Sequence, residues 1–445
     1  HSNEGHAGFL NLGRIEALVR QGVSFDRAVE TVRASTLFTT HTTVDAGIDR
    51  FPVELVATYL APWAQRHGID LEAILDVGRS PTAEESSLFN MAAFSLHLSA
   101  KANAVSREHQ GSSQALFQPL WPERSVSEVP IEYVTNGVHA PTWVGPDARR
   151  FFTERLGNHW VDGDQNAWSL LHQVDDADLW AMRNNARTLA LPQIRRRLQR
   201  ALLRSGWSLE DIQWTQQTFD PSALTIGFSR RFATYKRANL LLRQSDRLRA
   251  LLADPQRRVQ FLFAGKAHPQ DEPGKAMIRE VMEFSRSIEG RLSFVFIPDY
   301  DMALASYIYQ ASDIWLNTPI YPLEASGTSG MKAALNGSLN LSIADGWWAE
   351  CYDGTNGWVI ERLEDDHGDS ELRDNHDVEA LFNTLERSVL PAFYDRDLAG
   401  VPHQFVSRIK SSLTSLGPFV TSHRMVRDYV TRLYEPLARA DSASG

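Results

Sequence analysis

The chain has 445 residues, of which 43% are apolar, and its formal net charge is −10. The length predicts two or three domains, and the negative charge argues against a nucleic-acid-binding surface. One cysteine, Cys351, excludes an internal disulfide and suits a reducing, cytoplasmic setting; no uninterrupted apolar run of about eighteen residues is present to span a membrane.

The first third of the chain has apolar residues spaced near 3.6, which predicts helices. The predicted helices cover residues 9–19, 25–32, 51–66 and 88–107. Threonine-rich residues 35–43 predict a short strand that enters a loop, and residues 131–135 predict another strand. Asn136-Gly137 is a strong turn signal that ends this second strand.

The pattern then changes to helices and afterwards to alternating strands and helices. Residues 147–217 are helical and rich in tryptophan, and we interpret the arginines of the amphipathic helix 179–204 as a solvated face. The predicted strands are 224–228, 259–264, 292–297 and 314–317, and the helices between them are 235–252, 275–287 and 302–309. This alternation predicts a parallel, doubly wound α/β sheet, followed by further helices from residue 378.

The segment 324–332, Glu-Ala-Ser-Gly-Thr-Ser-Gly-Met-Lys, directly precedes an apolar run with helical spacing. Its glycines allow close backbone approach, its hydroxyls are donors, and a helix N-terminus attracts anions such as phosphate. Lys332 adds a point charge or, if desolvated, an amine able to form a Schiff base. The spacing excludes a Walker A loop. A capped helix with an incidental lysine stays open from these residues alone.

Polar residues follow the predicted strands of the α/β sheet, where open sheets of this type bind ligands. Arg230, Arg231 and Lys236 follow the first strand, and Lys266 follows the second. Asp299 and Tyr300 follow the third strand, and the segment 324–332 follows the fourth. This placement predicts an anion pocket. Surface roles for Lys266 and Arg237, and turn or core roles for Asp299 and Tyr300, remain alternatives.

Several blocks of the sequence resemble those of the α-glucan (glycogen, starch or maltodextrin) phosphorylases and occur in that family's order. They are residues 39–42, 89–92, 104–107, 134–137, 230–237, 263–266, 298–300 and 324–332. The sequence departs from the long animal type of this family at three positions and is there more similar to the short bacterial or archaeal type. It has Arg230 where a lysine is usual, Asp301 where a basic residue is usual, and Gly330 in place of an asparagine. The opening His-Ser-Asn-Glu-Gly-His resembles an element deep inside such chains, so we expect the N-terminal part to be lacking.

The resemblance implies a GT-B-type fold of two Rossmann-like lobes with the cleft between them. Residues 1–135 would be the remaining part of the N-terminal lobe, and residues 136–445 the C-terminal lobe with the cofactor lysine, the final helices packing back on the first lobe. The implied reaction is phosphorolysis of α-1,4-glucan ends to α-glucose 1-phosphate, with retention. The implied cofactor is pyridoxal 5′-phosphate, and the implied partners are α-1,4-glucan or maltodextrin, inorganic phosphate and glucose 1-phosphate.

The resemblance also implies roles for individual residues. Lys332 would form the Schiff base; the cofactor phosphate would contact Arg230, Thr328, Ser329 and Gly330, and Tyr300 would border the cofactor. Arg231 and Lys236 would hold the substrate phosphate, and His41 would stand near the anomeric carbon. The expected sugar contacts are Glu324, Ser326, Gly327 and Asn136, with Glu4 and His6 on the acceptor side. The implied catalytic residues are therefore Lys332, Arg231, Lys236 and His41.

Two alternatives remain open at this level: a catalytically silent glucan-binding fragment, and a cofactor-free nucleotide-sugar glycosyltransferase on the GT-B fold. We predict no metal, because neither His1 with His6 nor His367 beside the acidic residues 364–366 has the spacing of a zinc site. We expect no nucleic acid and no membrane as partners, and a homo-oligomer stays open.

Overall fold

The structure is a computed structural model that describes residues 1–79, 87–288, 293–365 and 367–443. Its contacts divide the chain into two compact units. The first unit comprises His1–Asn136, Pro322–Ser326 and Met425–Gly445, and the second comprises Gly137–Tyr321 and Gly327–Arg424. The segment 324–332 is therefore shared: Glu324 and Ser326 belong to the first unit, and Lys332 belongs to the second.

The first unit combines short strands with helices. Its strands are β1 (Ser2–Asn3), β2 (Leu37–Thr39), β3 (Arg50–Pro52), β4 (Leu88–Asn90), β5 (Lys101–Ala104) and β6 (Ile131–Tyr133). Its helices before residue 136 are α1 (Leu10–Val19), α2 (Phe25–Ala34), α3 (Val53–His67), α4 (Leu71–Gly78), α5 (Met91–His97) and α6 (Arg107–Phe117). Strands β1, β2, β5 and β6 form a parallel sheet in that order, and β3 pairs with β4 in antiparallel fashion.

The prediction of one helix over 88–107 is wrong, because this stretch contains β4, α5, β5 and the first residue of α6. Asn90 starts α5 by accepting hydrogen bonds from the backbone N–H groups of Ala92 and Ala93, both at 3.0 Å. Strand β5 is almost wholly buried and has only four residues, Lys-Ala-Asn-Ala. Although they alternate between polar and apolar, so short a run inside a longer apolar stretch does not distinguish a strand from a helix by periodicity. Similarly, Phe51 pairs in β3, and the predicted helix 51–66 begins at Val53.

The second unit is built on a six-stranded sheet. Its strands are β7 (Leu224–Arg231), β8 (Val259–Lys266), β9 (Phe294–Ile297), β10 (Ile314–Asn317), β11 (Leu339–Ile343) and β12 (Gly357–Ile360). Its α-helices are α7 (Ala140–Trp143), α8 (Pro146–Leu156), α9 (Gln165–Ser169), α10 (Asp176–Arg204), α11 (Ser245–Ala253), α12 (Glu272–Ser287), α13 (Met302–Ala311), α14 (Thr328–Ala334), α15 (Trp347–Cys351), α16 (Ser370–Thr384), α17 (Leu390–Tyr394) and α18 (His403–Phe419). Two more helices follow: α19 (Ser422–Tyr429) begins in the second unit and continues into the first, and α20 (Glu435–Ala443) belongs to the first.

The sheet of the second unit is entirely parallel, with the strand order β12-β11-β10-β7-β8-β9. The predicted parallel, doubly wound α/β sheet is thus confirmed. The strand order reverses between β7 and β10. Open α/β sheets bind ligands at such a reversal, beyond the carboxyl ends of the strands. The fold therefore directs attention to the ends of β7 and β10.

Several boundaries in the second unit differ from prediction. Strand β7 extends to Arg231 and β8 to Lys266, so these cations end their strands and do not follow them. The predicted helix 235–252 is wrong in its first half, because Arg237 has a left-handed backbone (φ 44°) that separates a 3₁₀ turn from the later helix. Strands β11 and β12 were not predicted, and the first residue of predicted strand 292–297, Leu292, lies outside the described residues.

The arginines of α10 are not simply a solvated face. Arg195 donates to the carbonyl oxygens of Thr218 and Phe219, each at 2.6 Å, so it holds the loop that precedes β7. Arg183 and Arg187 are fully buried and pair with the buried Asp313. Buried charges persist only when paired in this way. Among the described residues, none of the helices combines the length and the apolar character that crossing a bilayer requires.

Candidate active site

A buried cation lies where the strand order of the large sheet reverses. Arg230 at the end of β7 is only 8% exposed, and its guanidinium donates to the side-chain oxygen of Asn317 at the end of β10. The Asn317 amide in turn donates to Ser342 Oγ of β11 at 3.0 Å. Three neighbouring strands thus hold Arg230 in place. The edge at which open α/β sheets bind ligands therefore carries a fixed positive charge here, as the predicted anion pocket requires.

Lys332 is the fifth residue of α14, which begins directly after Gly327 with its left-handed φ of 87°. Its amine lies 3.9 Å from the centroid of the Trp143 ring. Burial lowers the pKa of Lys332 below its usual value, and no charged group of the described residues contributes to this shift. A desolvated amine loses its proton more readily and is then a nucleophile. The structure therefore supports the desolvated state on which the sequence interpretation depended.

Two tyrosines connect the lysine helix with the end of β7. Tyr300 accepts a hydrogen bond from Ser229 Oγ at 3.4 Å, and the Tyr309 hydroxyl is hydrogen-bonded to Tyr300 and to Ser329 of α14. The Tyr309 ring also packs edge-on against Trp143, with 5.7 Å between centroids. Burial raises the pKa of Tyr309 far above its usual range, so the hydroxyl stays neutral.

Gly330 has no room for a side chain. A Cβ atom there would lie 2.4 Å from Asn340 Oδ1 and 3.2 Å from the Trp347 ring. Asn340 is buried and donates from Nδ2 to the Gly330 carbonyl at 3.2 Å, so it is not free to move away. Close packing of α14 on β11 thus explains why glycine stands here. Thr328 opens the same helix and is partly exposed.

Lys236 lies in a 3₁₀ turn after β7 and is 7% exposed, whereas Arg231 is exposed. The Thr318 hydroxyl donates to the Lys236 carbonyl at 3.2 Å, which fixes this turn against the segment after β10. Arg237 beside it is buried and pairs with Asp374 at 2.8 Å and with Asp377 at 2.7 Å. The alternative of a surface charge is therefore wrong for Arg237.

The remaining strand-end residues have ordinary structural partners. Lys266 is exposed. Asp299 has a left-handed backbone (φ 57°) and pairs with Arg204. Asp301 starts α13 by accepting from the Leu304 N–H at 2.8 Å and pairs with Arg197 at 2.5 Å. The aspartate at 301 is thus used for capping and for an ion pair with α10, and the turn role fits Asp299.

In the first unit, Glu4 and His41 are neighbours. Glu4 has an unusual left-handed backbone (φ 64°), and its carboxylate accepts from the His41 backbone N–H and from Thr40 Oγ at 3.4 Å. Burial raises the pKa of Glu4 and, with a smaller effect of His6, lowers the pKa of His41. His41 Nε2 is 2.6 Å from Asn3 Oδ1. The structure therefore brings Glu4, His6 and His41 together.

A histidine that sequence reasoning missed supports the loop after His41. His109 is fully buried; its Nδ1 accepts from the Val105 N–H at 3.2 Å, and its Nε2 lies 2.8 Å from the Thr42 carbonyl. Since Nδ1 is an acceptor, Nε2 carries the proton and donates to Thr42. Burial lowers the pKa of His109 to about 4, so the ring is neutral at ordinary pH.

The segment Pro322–Ser326 is held on the first unit through its backbone. Thr43 Oγ donates to the Leu323 carbonyl at 2.7 Å, and Ser106 Oγ donates to the Ala325 carbonyl at 2.6 Å. These two hydrogen bonds involve the backbone carbonyls of Leu323 and Ala325 and not the side chains of Glu324 and Ser326. Both side chains are 5% exposed, and Ser326 Oγ has no hydrogen-bond partner among the described residues. Asn136 ends the segment after β6, with its N–H donating to the Val105 carbonyl at 3.1 Å.

The residues of the second unit fit pyridoxal 5′-phosphate. An aldehyde requires a neutral amine, which the desolvated Lys332 can supply, and a phosphate requires a cation and hydroxyl donors, which Arg230 and Ser329 can supply. Within the described residues, no group of three or more His, Cys, Asp or Glu side chains has the geometry of a metal site. His1 contacts Tyr434 and Thr39, and Asp366 of the acidic loop lies outside the described residues.

Sequence reasoning did not select Trp143, Tyr309, Asn317 or His109. Each is an isolated aromatic or polar residue within a segment whose pattern already predicts an ordinary helix, strand or loop. No motif or spacing marks such a residue as part of a functional site. Only the tertiary contacts show that Trp143 and Tyr309 adjoin Lys332 and Ser329.

Comparison with known proteins agrees with these features. The chain is 46% identical to a protein named glycogen phosphorylase from Mycobacterium tuberculosis (strain CDC 1551 / Oshkosh), over 99% of this chain and 51% of that protein. It is 38% identical to a glycogen phosphorylase from Aquifex aeolicus, over 99% of this chain and 63% of that protein. A maltodextrin phosphorylase from Thermococcus litoralis is 39% identical, over 98% of this chain and 50% of that protein.

The chain thus spans between half and about two thirds of the length of these relatives. A family model described as carbohydrate phosphorylase matches residues 11–355, which include β7 to β11, Trp143 and Lys332. On this match and these identities, the chain belongs to the carbohydrate phosphorylase family.

Proposed function

We propose that this chain provides the cofactor and phosphate sites of an α-glucan phosphorylase of GT-B-type fold. The reaction is phosphorolysis of α-1,4-glucan ends to α-glucose 1-phosphate, with retention. The observation that carries the proposal is the desolvated amine of Lys332 beneath Trp143, in the same unit as the buried Arg230. The relatives named glycogen and maltodextrin phosphorylase support the substrate class.

Pyridoxal 5′-phosphate, when bound, would supply a phosphate group able to assist proton movement. This chain's residues would hold both this phosphate and the substrate phosphate. Lys332 would bind the cofactor aldehyde, and Arg230, Thr328, Ser329 and Gly330 would surround its phosphate, bordered by Tyr300. Two phosphates at short range repel each other by several kcal/mol in a medium of low dielectric. The positive charge of Arg230 offsets part of this repulsion.

Arg231 and Lys236 would hold the substrate phosphate. Arg231 is exposed at the end of β7, where it can meet an anion from solution, and the Thr318 contact keeps the turn of Lys236 in place. Fixed cations stabilise negative charge that develops as the glycosidic bond breaks. Arg231 and Lys236 are therefore the catalytic cations of this proposal.

The sugar would be recognised by Glu324, Ser326 and Gly327. The Ser326 hydroxyl is buried without a protein partner among the described residues, as expected of a group that awaits a sugar hydroxyl. We assign Asn136 to a further sugar hydroxyl and His41 to the neighbourhood of the anomeric carbon. Glu4, whose pKa is raised by burial, and His6 would contact the acceptor side of the glucan.

The test is to incubate the purified chain with pyridoxal 5′-phosphate, reduce it with borohydride and map the label. The label should be on Lys332, absent from Lys332→Ala and retained in Lys275→Ala, a lysine that is paired with Glu272 on α12. A label elsewhere, or none, contradicts the proposal and leaves a cofactor-free glycosyltransferase or a glucan-binding fragment. Maltodextrin binding without phosphorolysis would then identify the glucan-binding fragment.

Arg231→Ala separates the two anion sites. It should keep the label on Lys332 but bind inorganic phosphate about tenfold more weakly or worse, because a charge-assisted hydrogen bond is lost. Equilibrium dialysis with radiolabelled phosphate measures this binding. Arg257→Ala, which removes an exposed arginine paired with Asp254, is the matched control and should bind phosphate as the wild type does. Equal binding by Arg231→Ala would remove Arg231 from the phosphate site.

A further inference from the structure

Asn336 lies two residues after the end of α14 and uses its whole side-chain amide on two segments. Its Nδ2 donates to the Lys332 carbonyl at 2.8 Å and to the Trp143 carbonyl at 2.9 Å. Its Oδ1 accepts from the Gly145 N–H at 2.8 Å. The side chain is 1% exposed. One amide thus ties the backbone of the lysine to the Trp143–Gly145 segment at two points.

Asn336 is itself held from the other side. Its own carbonyl accepts a hydrogen bond from the buried Arg183 at 2.7 Å. Arg183 also donates to the carbonyls of Gln310 and Ser312, and it pairs with Asp313. The amide therefore has little freedom to follow a displaced partner. Any movement of Trp143 away from Lys332 would break bonds that water cannot readily replace at a buried site.

This arrangement determines what covers the amine. The Lys332 amine lies 3.9 Å from the centroid of the Trp143 ring. The backbone carbonyl of this same tryptophan accepts the hydrogen bond from Asn336. We propose that Asn336 is a positioning residue that holds the Trp143 ring over the Lys332 amine. The cofactor role of that amine rests on the function proposed above, whereas the placement of the ring can be tested without any cofactor.

A plain capping role is the competing explanation, and the chain offers a matched comparison. Asn356 is also fully buried, and its Nδ2 donates to the carbonyl of Cys351, the last residue of the short helix α15. It bonds Ser415 as well, at 3.1 Å. Asn356→Ala therefore removes a buried helix-ending amide from the same unit without touching Trp143 or Lys332.

The experiment measures the pKa of Lys332 in the cofactor-free chain. The sequence contains six lysines, so the Cε resonances of a chain labelled with [ε-¹³C]lysine can be followed against pH, with Lys332→Arg for assignment. Asn336→Ala should raise the pKa of Lys332 towards that of an exposed lysine, since a displaced ring lets water reach the amine. Trp143→Leu should raise it similarly, the double variant no further, and Asn356→Ala should leave it unchanged.

The proposal is overturned if Asn336→Ala leaves the pKa of Lys332 unchanged, or if its effect adds fully to that of Trp143→Leu. If Asn336→Ala does not fold, Asn336→Ser is measured in its place, because a serine hydroxyl cannot reach both carbonyls. Failure of both variants to fold would assign Asn336 to folding and also overturn the proposal.

A second readout uses the rate of cofactor capture. Asn336→Ala should take up pyridoxal 5′-phosphate more slowly than wild type at neutral pH and equally fast at high pH, where the amine is neutral in both. A wild-type chain that captures no cofactor refutes the proposed function and leaves the pKa experiment intact. Normal capture by the wild type with an unchanged pKa in Asn336→Ala refutes only the positioning role.

Discussion

The buried His109 should make the free energy of unfolding fall steeply in mild acid. Its pKa is about 4 in the folded chain and about 6.5 when exposed. The difference of about 2.5 pKa units, at about 1.4 kcal/mol per unit, stabilises the folded chain with neutral His109 by about 3.5 kcal/mol, of which about 3 kcal/mol is lost by pH 4. Because the folded pKa is the lower one, this stability is complete above pH 6.5 and is lost as the pH falls towards 4.

His109→Gln tests this magnitude. A glutamine does not titrate, and its amide can still donate to the Thr42 carbonyl that accepts from His109. Urea unfolding at a series of pH values from 7.5 to 4 should show that the wild type loses about 3 kcal/mol more than the variant. Carboxylates that titrate in the same range affect both proteins alike, so the difference between the two curves isolates His109.

His97→Gln is the matched control, since His97 also contacts a carbonyl oxygen of the first unit, that of Val77, at 2.6 Å. It should lose stability in acid as the wild type does. Direct titration of the His109 ring by NMR provides the second measurement. Parallel loss of stability in wild type and His109→Gln between pH 6.5 and 4 would refute the assignment of a neutral, buried ring.

Two further predictions concern stability in the second unit. Gly330→Ala should lower the free energy of unfolding by about 1–3 kcal/mol, because the added Cβ would clash with Asn340. Gly13→Ala is the control: there is open space around its Cβ, so it should be neutral or slightly stabilising. Thermal unfolding compares the two variants, and equal effects would contradict the packing argument. Asp377→Asn should cost about 3 kcal/mol in urea unfolding, because the buried Arg237 loses part of its charge compensation. A cost below about 1 kcal/mol, typical of exposed pairs, would show that Asp377 is not needed there.

The parallel sheet and the cations at its strand ends were predictable because they leave signals in the order of residues. Strand and helix alternate after residue 220, and the cations occur at the strand ends. The failures have a common cause. Strands β5 and β11 are buried and short, and although their residues alternate between polar and apolar, four or five residues give too few positions to separate a strand from the neighbouring helical pattern. The prediction of a helix from Tyr235 was wrong because Arg237 adopts a left-handed backbone conformation, which residues other than glycine rarely adopt.

The sequence by itself determined the parallel sheet, the lysine segment after its fourth strand and the family resemblance, since each is written in local spacing or in short runs of residues. Tertiary structure alone decided which groups surround that lysine. Trp143 and Asn336 are almost 200 positions apart along the chain, and folding joins them by a hydrogen bond of 2.9 Å. Desolvation of an amine depends on every atom that excludes water from it, and those atoms come from distant segments that no local pattern connects.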